Sequence, residues 1–393
     1  NKLENFFLML TIKDGIVLKG QDLTPVRENI VIDDGKIIEM AKDVCEGKII
    51  DATDSIVCPT FLNGHTHIGD SIIKDEGYGL SLGEMVKPPN GVKHKALANA
   101  EDGEIIDAMK KSMWDMFESG TTHFIDYREG GIKGVELLRK ASKNLPVTPV
   151  ILGRDDSFYG QNPDLRKVKI AIRKLLKLAD GIALSGFGEI SDEVASLITS
   201  ECRKAGKISS IHVAESMHLQ DDSLRDFNKT EIQRGVDADF DQLVHCTNPR
   251  NNDLELIKNS NVVVCPRANA TLNVGVAPLN EMFSKGIKPL LGSDNLMLNS
   301  PNLFRELEFS LKIMSVYYKN YLNPKDLLKT ATTNICNFEI NRYIEKPVID
   351  VNQEANLFIS KKYSKNPYLN IINRCGTKDI LYIMNRDIHI KNV

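Results

Sequence analysis

The chain has 393 residues, of which 42% are hydrophobic and 26% are charged, and its formal net charge is −3. This composition is typical of a folded globular protein and excludes a disordered or fibrous one. Because the sequence lacks a basic excess that would attract phosphate groups, we expect neither nucleic acid nor an anionic membrane surface as a partner.

Cysteine usage indicates the cellular compartment. The seven cysteines are scattered, odd in number and nowhere spaced as Cys-x-x-Cys. This pattern favours reduced thiols in the cytoplasm over a disulfide framework or a zinc knuckle. The apolar run at residues 6–10 is too short to span a membrane and lacks the flanks of a signal peptide, so we predict a first strand there.

The first part of the chain, residues 1–58, predicts β structure. Short apolar stretches predict strands at 6–12, 15–19, 29–32 and 36–40, and no helical periodicity interrupts them. The Asp33-Asp34-Gly35 turn is a hairpin signal between the last two strands, because Gly accepts the positive φ that tight hairpins require.

The central part, residues 59–340, predicts a parallel sheet with crossover helices, because short apolar runs alternate there with longer helical stretches. Helices are predicted at 101–119, 165–178 and 192–205, and another begins at Asn323-Pro324. There are eight apolar runs, the number that a closed (β/α)8 barrel of the TIM type requires. The eight runs are 60–67, 121–127, 147–153, 181–187, 208–214, 242–247, 261–266 and 288–294.

The last part, residues 341–393, returns to strands, predicted at 355–360, 380–384 and 388–391. Two β-rich ends therefore flank an α/β barrel. Within the barrel, the connection at 69–99 is long and rich in Gly and Pro. Such a loop is either a lid or a surface excursion, and its position directly after His67 favours a lid.

Polar side chains stand at the ends of four of these runs. His65 and His67 lie two residues apart on the first run, so both imidazoles point to the same side of a strand. His212, His245 and Asp294 end the fifth, sixth and eighth runs. Barrels of this type collect their active-site residues at the carboxyl ends of the strands, so we expect these side chains to converge.

This set resembles the metal-dependent amidohydrolase superfamily, whose pattern is His-x-His on strand 1, His on strands 5 and 6, and Asp on strand 8. The spacing His212-x-x-Glu215 is similar to the branch of cyclic-amine and triazine deaminases and chlorohydrolases, above all to its archaeal chlorohydrolase-like members. The resemblance implies that the two chain ends pair into one small β-sandwich. The expected architecture is a barrel over 59–340 and a sandwich built from 1–58 and 341–393.

Three imidazoles and a carboxylate suit Zn²⁺, with Fe²⁺ as an alternative, because borderline cations prefer nitrogen donors. We assign His65, His67, His212 and Asp294 to one divalent ion. A bound ion of this kind lowers the pKa of water from about 15.7 to about 7, which supplies hydroxide as the nucleophile. In related branches a second ion requires a carboxylated Lys at the end of strand 4, and the run at 181–187 contains no Lys.

The predicted catalytic residues are Glu215, His245 and Asp294. In a continuing strand Glu215 would face away from His212, so the chain must turn for Glu215 to act as a general base and then a general acid. The alternative for Glu215 is a solvated loop carboxylate. His245 is either a metal ligand or a donor that orients water and stabilises oxyanion charge, and the resemblance favours the second role. Asp294 could instead cap the segment that follows it.

Further polar groups near strand ends are candidates for substrate binding. The arginines among them suit a carboxylate or phosphate on the substrate, and salt bridges between barrel loops are an equal alternative. The candidates are Arg128, Arg154, Arg267, Asn269 and Asn295. The remaining histidines fall outside the pattern and are predicted to be core, loop or surface residues: His94, His123, His218 and His389.

The residues and the resemblance together favour a carbon–nitrogen hydrolase that deaminates a small N-heterocyclic amine of the purine, pterin, pyrimidine or triazine type. Hydrolytic dechlorination of a similar ring needs the same groups and is the first alternative. Cyclic amide hydrolysis normally accompanies the two-metal site, and a non-catalytic scaffold would not need all five ligand-type residues. The sequence lacks the His-x-Glu and Pro-Cys-x-x-Cys motifs of nucleic-acid cytidine deaminases, which excludes that class. The oligomeric state stays open, a homo-oligomer included.

Overall fold

The structure is a computed structural model that describes residues 4–5, 9–86, 90–160, 162–250, 252–338, 342–385 and 388–391. Part of the predicted first strand, at residues 6–8, and the predicted domain boundary at 340/341 lie outside these ranges. The strands in chain order are β1 (Glu4–Asn5), β2 (Leu10–Lys13), β3 (Ile16–Lys19), β4 (Thr24–Val26), β5 (Asn29–Asp33), β6 (Lys36–Ala41), β7 (Lys48–Asp51), β8 (Ser55–Pro59), β9 (Phe61–His67), β10 (Thr121–Arg128), β11 (Thr148–Gly153), β12 (Gly181–Leu184), β13 (Ile208–Val213), β14 (Gln242–His245), β15 (Asn261–Val264), β16 (Leu290–Leu291), β17 (Asp294–Asn295), β18 (Leu357–Lys361), β19 (Ile380–Asn385) and β20 (Ile388–Lys391).

The helices connect most of these strands. They are α1 (Leu82–Val86), α2 (Val92–Asn99), α3 (Asp102–Glu118), α4 (Gly131–Ser142), α5 (Leu165–Leu175), α6 (Asp192–Ala205), α7 (Met217–Phe227), α8 (Glu231–Asp237), α9 (Asp253–Leu256), α10 (Pro266–Thr271), α11 (Leu279–Ser284), α12 (Leu303–Tyr317), α13 (Pro324–Thr330) and α14 (Pro367–Arg374). Across the described ranges, none of them has both the length and the apolar character that crossing a bilayer would take.

Nine parallel strands, β9 to β17, form the barrel that the sequence predicts. Each strand from β9 to β15 pairs with the next along the chain. The eighth apolar run then contributes two short strands, because β16 pairs with β15 and β17 pairs with β9, Asp294 opposite Thr66. The eighth run is therefore paired on both sides, with β15 through β16 and with β9 through β17. The sheet curls into a (β/α)8 barrel, and the fold prediction is confirmed.

Helix α3 shows why the predicted helices form. Its buried side chains recur at helical spacing and pack against the barrel. A capping box of Glu101 and Glu104 begins the helix, and Gly120, with φ +85°, follows its end. The prediction at 165–178 was too long, since α5 ends at Leu175. The buried residues of α3 are Ile105, Ile106, Met109, Ser112, Met113, Met116 and Phe117.

The two chain ends form two sheets that pack face to face. One sheet has the order β1-β20-β19-β18-β8-β3-β4, and the other has the order β6-β5-β2-β7. Strand β18 of the last part pairs antiparallel with β8 of the first, which confirms that the ends meet in one small sandwich. Its core includes Leu10, Ile12, Val17, Ile30, Ile32, Ile37, Ile50, Val57, Ile349, Leu357, Ile359 and Met384. The domain boundary at 58/59 stays a prediction.

Residues 69–86 and 90–99 lie over the carboxyl ends of the barrel strands, and we call them the covering segment. They include most of a short 3₁₀ helix at Ile68–Ile73, together with α1 and α2, and residues 87–89 lie outside the described ranges. Ile73 and Met85 pack against Leu272 and Met297 of the barrel. The segment therefore occupies the position expected of a lid, and its movement stays a prediction.

Candidate active site

Four predicted ligands converge at the carboxyl end of the barrel. The Nε2 atom of His65 lies 3.2 Å from Oδ1 of Asp294 and 3.2 Å from Nε2 of His212. The Nε2 atom of His67 lies 3.5 Å from the same Asp294 oxygen. His65, His67 and Asp294 are almost fully buried, and His212 is half-buried. These residues are scattered over the sequence, so only the closing of the barrel brings them together.

Unusual backbone conformations aim these side chains. His245 and Asp294 have φ values of 77° and 59°, in the left-handed region that non-glycine residues rarely adopt. Ala214, with φ 53°, ends β13 in the same way and provides the turn that brings Glu215 towards the ligands. A Cβ atom on Gly292 would lie 2.8 Å from the Cβ of His65. Only glycine therefore lets the eighth strand approach β9 closely enough to place Asp294 beside His65.

Two of the imidazoles, those of His67 and His212, are held in the neutral state that metal binding requires. Burial, together with the charge of Lys93, puts the pKa of His67 well below its usual range. Burial and the neighbouring His245 do the same for the pKa of His212. Asp294 behaves oppositely, because burial opposes its ionisation but the hydrogen bond from His65 and the nearby histidines outweigh it and lower its pKa. The site thus combines neutral nitrogen donors with a carboxylate.

The ring of Tyr127 packs against two of the proposed ligands, His212 and His65. Tyr127 stacks on His212, with ring centroids 4.8 Å apart and planes inclined by 7°, and meets His65 edge to face at 4.4 Å. Its hydroxyl is hydrogen-bonded to Ser210 at 2.5 Å, which restrains the ring. Tyr127 is not among the predicted site residues. Strand periodicity does place it on the same face of the fully buried strand β10 as Ile125.

His245 and Glu215 face each other at the edge of the ligand cluster, with Nε2 of His245 3.6 Å from Oε2 of Glu215. The side-chain NH₂ of Asn269 lies 3.2 Å from Nδ1 of His245, and the Thr247 hydroxyl donates to the Asn269 carbonyl at 3.1 Å. This arrangement assigns Nδ1 as an acceptor and leaves the proton on Nε2, which faces Glu215. Burial, reinforced by the negative charge of Asp294, raises the pKa of Glu215 well above its usual range.

Three charged residues near the ligands are not among those that the sequence pattern predicts. Glu129 accepts a hydrogen bond from Nδ1 of His67 at 2.8 Å, and Lys93 of α2 lies 2.5 Å from the same Glu129 oxygen. A third, Glu231, accepts from the Ala214 amide at 2.8 Å and fixes the turn before Glu215. Burial raises the pKa of Glu231 to about 7. Only Glu129 had a sequence signal, since it directly follows a barrel strand.

The predicted substrate-binding residues separate into three groups. Arg154 and Asn295 line the cavity in front of the ligands. Arg128 pairs with Glu129 at 2.7 Å behind His67, and Arg267 pairs with Glu306 at 3.2 Å. Arg128 thus pairs with its own neighbour in the sequence, and Arg267 forms a salt bridge between two barrel elements, the alternative that the sequence left open. Asn269 is fully buried against His245 and positions that residue.

Among the described side chains, no histidine outside the pattern joins the ligand cluster. His94 bonds to the Val86 carbonyl within the covering segment at 3.1 Å, and His123 is buried beside Thr122. His218 is largely exposed at the rim of the cavity. The side chain of His389 lies outside the described residues.

A cavity of about 280 Å³ opens in front of the ligand cluster, a size that suits a small heterocycle. One wall belongs to the covering segment and the opposite wall to the ends of the barrel strands. The lining residues include Ser81, Leu82, Val86, Lys93, Arg154, Ser185, Glu189, His212, Glu215, Leu219, Glu231, His245, Asp294 and Asn295.

A parallel barrel with a His-rich donor set at the carboxyl ends of its strands defines a hydrolase that works with a divalent metal ion. Residues 56–391 match the model of the amidohydrolase family, and the chain belongs to that family. The predicted class, an enzyme that hydrolyses carbon–nitrogen bonds other than peptide bonds, is confirmed.

Three similar proteins illustrate the relationship. A protein of Methanothermobacter thermautotrophicus that is assigned as an aminohydrolase is 44% identical, over 96% of this chain and 97% of its own length. The 5′-deoxyadenosine deaminase of Methanosarcina acetivorans is 28% identical, over 78% of this chain and 73% of its own. The zinc-bound crystal structure of atrazine chlorohydrolase from Arthrobacter aurescens has the same fold, with a TM-score of 0.85 at 14% identity, over 98% of this chain and 95% of that one.

Proposed function

We propose that this protein hydrolytically deaminates a purine-type amine with the help of one zinc ion held by His65, His67, His212 and Asp294. The observation that carries the proposal is the spacing of the ligand atoms. Of the six pairs that four ligand atoms form, three lie 3.2, 3.2 and 3.5 Å apart. His65, His67 and Asp294 form one group with ligand atoms within 4.8 Å of one another, and His65, His212 and His245 form another that shares His65. Ligands at the corners of a tetrahedron with bonds of about 2.0–2.1 Å are separated by about 3.3–3.4 Å.

The donor set favours zinc. Three imidazoles and one carboxylate match its preference for nitrogen with some oxygen, whereas Mg²⁺ and Ca²⁺ prefer oxygen alone. Fe²⁺ accepts the same donors and is distinguished by metal analysis. When bound, a zinc ion would make water a nucleophile at neutral pH.

Glu215 and His245 are positioned to move protons and to stabilise charge. Glu215 would take the proton of the attacking water while the water oxygen bonds to the ring carbon that carries the amino group. The same carboxyl would then deliver the proton to the departing nitrogen, so that the carbon–nitrogen bond breaks and ammonia leaves. His245, with its proton on Nε2, would donate to oxygen as negative charge develops there.

The purine-type substrate is proposed from the relatives and the cavity together. The 5′-deoxyadenosine deaminase of Methanosarcina acetivorans is similar to this chain over 78% of the chain, and its name specifies a purine-type amine as its substrate. The cavity offers a hydrogen-bonding wall of Ser81, Lys93, Arg154, Ser185 and Asn295 that suits a substituted ring rather than a bare hydrocarbon.

Dechlorination uses the same residues and differs only in the leaving group, so it is a separate arm of the test. Cyclic amide hydrolysis has less support. Strand β12 ends at Leu184, and the next residue is Ser185, which hydrogen-bonds Arg154 where related two-metal sites need a lysine.

The experiment is an ammonia-release screen of the zinc-loaded protein with adenine, adenosine, 5′-deoxyadenosine, guanine, a pterin, cytosine and melamine, with chloride release from atrazine measured in parallel. Metal content is determined on the same sample. We expect turnover of a 6-aminopurine compound and one ion per chain. Chloride release without ammonia release would replace deamination by dechlorination, and a protein without stoichiometric metal would contradict the proposal.

The role of Glu215 is tested by Glu215→Gln, with Glu193→Gln, an exposed position on α6, as the matched control. We expect the first variant to lose at least about 100-fold in turnover and to keep its metal. If its turnover equals that of the control, Glu215 does not shuttle the proton.

A further inference from the structure

A chain of buried charges joins the covering segment to the proposed metal site. Lys93 lies on α2 and is 2% exposed, and its Nζ atom is 2.5 Å from Oε1 of Glu129. The same oxygen accepts a hydrogen bond from Nδ1 of His67 at 2.8 Å. The other ring nitrogen of His67, Nε2, faces Asp294. One carboxylate oxygen therefore touches both the covering segment and a proposed ligand.

Glu129 determines which nitrogen of His67 is available to a metal. A carboxylate can only accept hydrogen bonds, so Nδ1 of His67 must carry the proton and Nε2 must present its lone pair. Carboxylates that hold a ligand histidine in this way orient the ring and raise its basicity. Glu129 is therefore a positioning residue for His67.

Glu129 is itself held by three cations. Its Oε2 atom pairs with Arg128, its neighbour in the chain at the end of β10, which cannot separate from it. Its Oε1 atom pairs with Lys93 of the covering segment at 2.5 Å and with Arg154 of the barrel at 3.5 Å. A Cβ atom on Gly69 would lie 2.1 Å from the Arg128 guanidinium, so the segment begins with a glycine that makes room for this pairing. Of these three cations, only Lys93 belongs to the covering segment and can leave if the segment opens.

We propose that the Lys93–Glu129–His67 chain couples the docking of the covering segment to metal binding. When Nε2 of His67 binds an ion, its Nδ1–H group becomes a stronger hydrogen-bond donor to Glu129. The stronger hydrogen bond holds Glu129 in the position in which it pairs with Lys93. By reciprocity, a docked segment strengthens metal binding. Opening the segment moves Lys93 away from Glu129 and loosens His67. This inference rests on the proposed metal centre and adds a means by which the segment controls it.

The inference has a matched pair of variants. Lys93→Met removes the buried ammonium, and Lys95→Met changes an exposed lysine on the same helix. Hydrogen exchange of the α2 backbone amides, read by mass spectrometry, is compared for the full-length protein with and without zinc. In the Lys95→Met variant, as in the unmodified protein, zinc is expected to slow exchange in α2. In the Lys93→Met variant, this zinc-dependent protection is expected to disappear.

Metal affinity provides the second readout. Chelator competition is expected to show zinc binding weakened about 2- to 30-fold by Lys93→Met relative to Lys95→Met. Glu129→Gln is expected to weaken binding about 10- to 100-fold and to alter the visible spectrum of the cobalt-substituted protein, while Glu136→Gln, an exposed position on α4, leaves both unchanged. In the Glu129→Gln background, Lys93→Met should add no further loss, because its effect acts through Glu129.

The outcomes separate this inference from the proposed function. If the unmodified protein holds no stoichiometric metal, the metal centre itself is wrong. If it binds zinc and deaminates, but the two lysine variants show the same protection and the same affinity, the coupling is wrong. Should Lys93→Met fail to fold, Glu129→Gln decides the question, since retained zinc-dependent protection in that variant overturns the coupling.

Discussion

Replacing Gly292 with alanine tests how the barrel places its metal ligands. The new Cβ would lie 2.8 Å from Cβ of His65, 2.9 Å from its amide nitrogen and 3.0 Å from its carbonyl oxygen. Carbon atoms in favourable contact are about 3.5–4.0 Å apart, so the two strands must separate by about 0.7 Å or more. Two of these atoms belong to the backbone of β9 and the third is a Cβ atom, so no flexible side-chain end can move aside.

The displacement carries both an energetic and a chemical consequence. Overpacking of this kind costs about 1–3 kcal/mol, and at about 1.2 °C per kcal/mol for a chain of this length we expect the apparent melting temperature to fall by roughly 1–4 °C. Metal sites tolerate errors of only about 0.2 Å in ligand distance, so widening the separation of His65 and Asp294 should also weaken zinc binding.

The assay is a thermal melt of the metal-free protein together with zinc affinity by chelator competition. The control is Gly103→Ala, because a Cβ there meets nothing within 4 Å and the residue lies in helix α3. Alanine at Gly103 should raise stability by about 0.5–1 kcal/mol and leave zinc affinity unchanged. If Gly292→Ala binds zinc as tightly as the control does, Gly292 does not set the ligand geometry.

Three further substitutions have clear expected outcomes. Asn269→Leu removes the donor to Nδ1 of His245, so we expect kcat to fall while KM and metal content stay nearly unchanged; loss of the metal instead would make His245 a ligand. Phe61 belongs to a fully buried cluster of rings, so Phe61→Ala should lower the free energy of unfolding by about 3–5 kcal/mol. Tyr321 is 89% exposed, and Tyr321→Ala should change the free energy of unfolding by less than about 0.5 kcal/mol. Equal effects of the two substitutions would contradict the packing. Arg154→Met should raise KM with the metal retained, and an unchanged KM would exclude contact between Arg154 and the substrate.

The candidate ligands could be selected from the sequence because their selection depends on local pattern. His65 and His67 follow from the period of a strand, and His212, His245 and Asp294 from their places at the ends of apolar runs. The geometry could not be predicted. The turn that redirects Glu215 occurs at Ala214, an alanine with positive φ, and a sequence offers no signal for such a residue.

The missed residues share a physical cause. Lys93 and Glu129 are 36 positions apart, and their contact exists only because α2 lies over the end of β10. Arg128 and Arg267 end or follow barrel strands like true site residues, yet each is neutralised by a carboxylate. Strand periodicity shows that a polar group lies near the barrel mouth but not which partner it meets there.

The edge strand β4 was not predicted, because it contains Pro25. Strand propensity disfavours proline, but an edge position tolerates it.

X-ray absorption at the zinc edge, recorded on the protein loaded with one equivalent of zinc, tests the four-ligand site most directly. We expect a shell of nitrogen and oxygen atoms at about 2.0–2.1 Å, with the outer-shell scattering of three imidazoles. The same spectrum of Asp294→Ala should lose occupancy or gain a water in place of the carboxylate. A shell at about 2.3 Å, the distance of zinc to cysteine sulfur, would place the ion elsewhere in the protein and contradict the account.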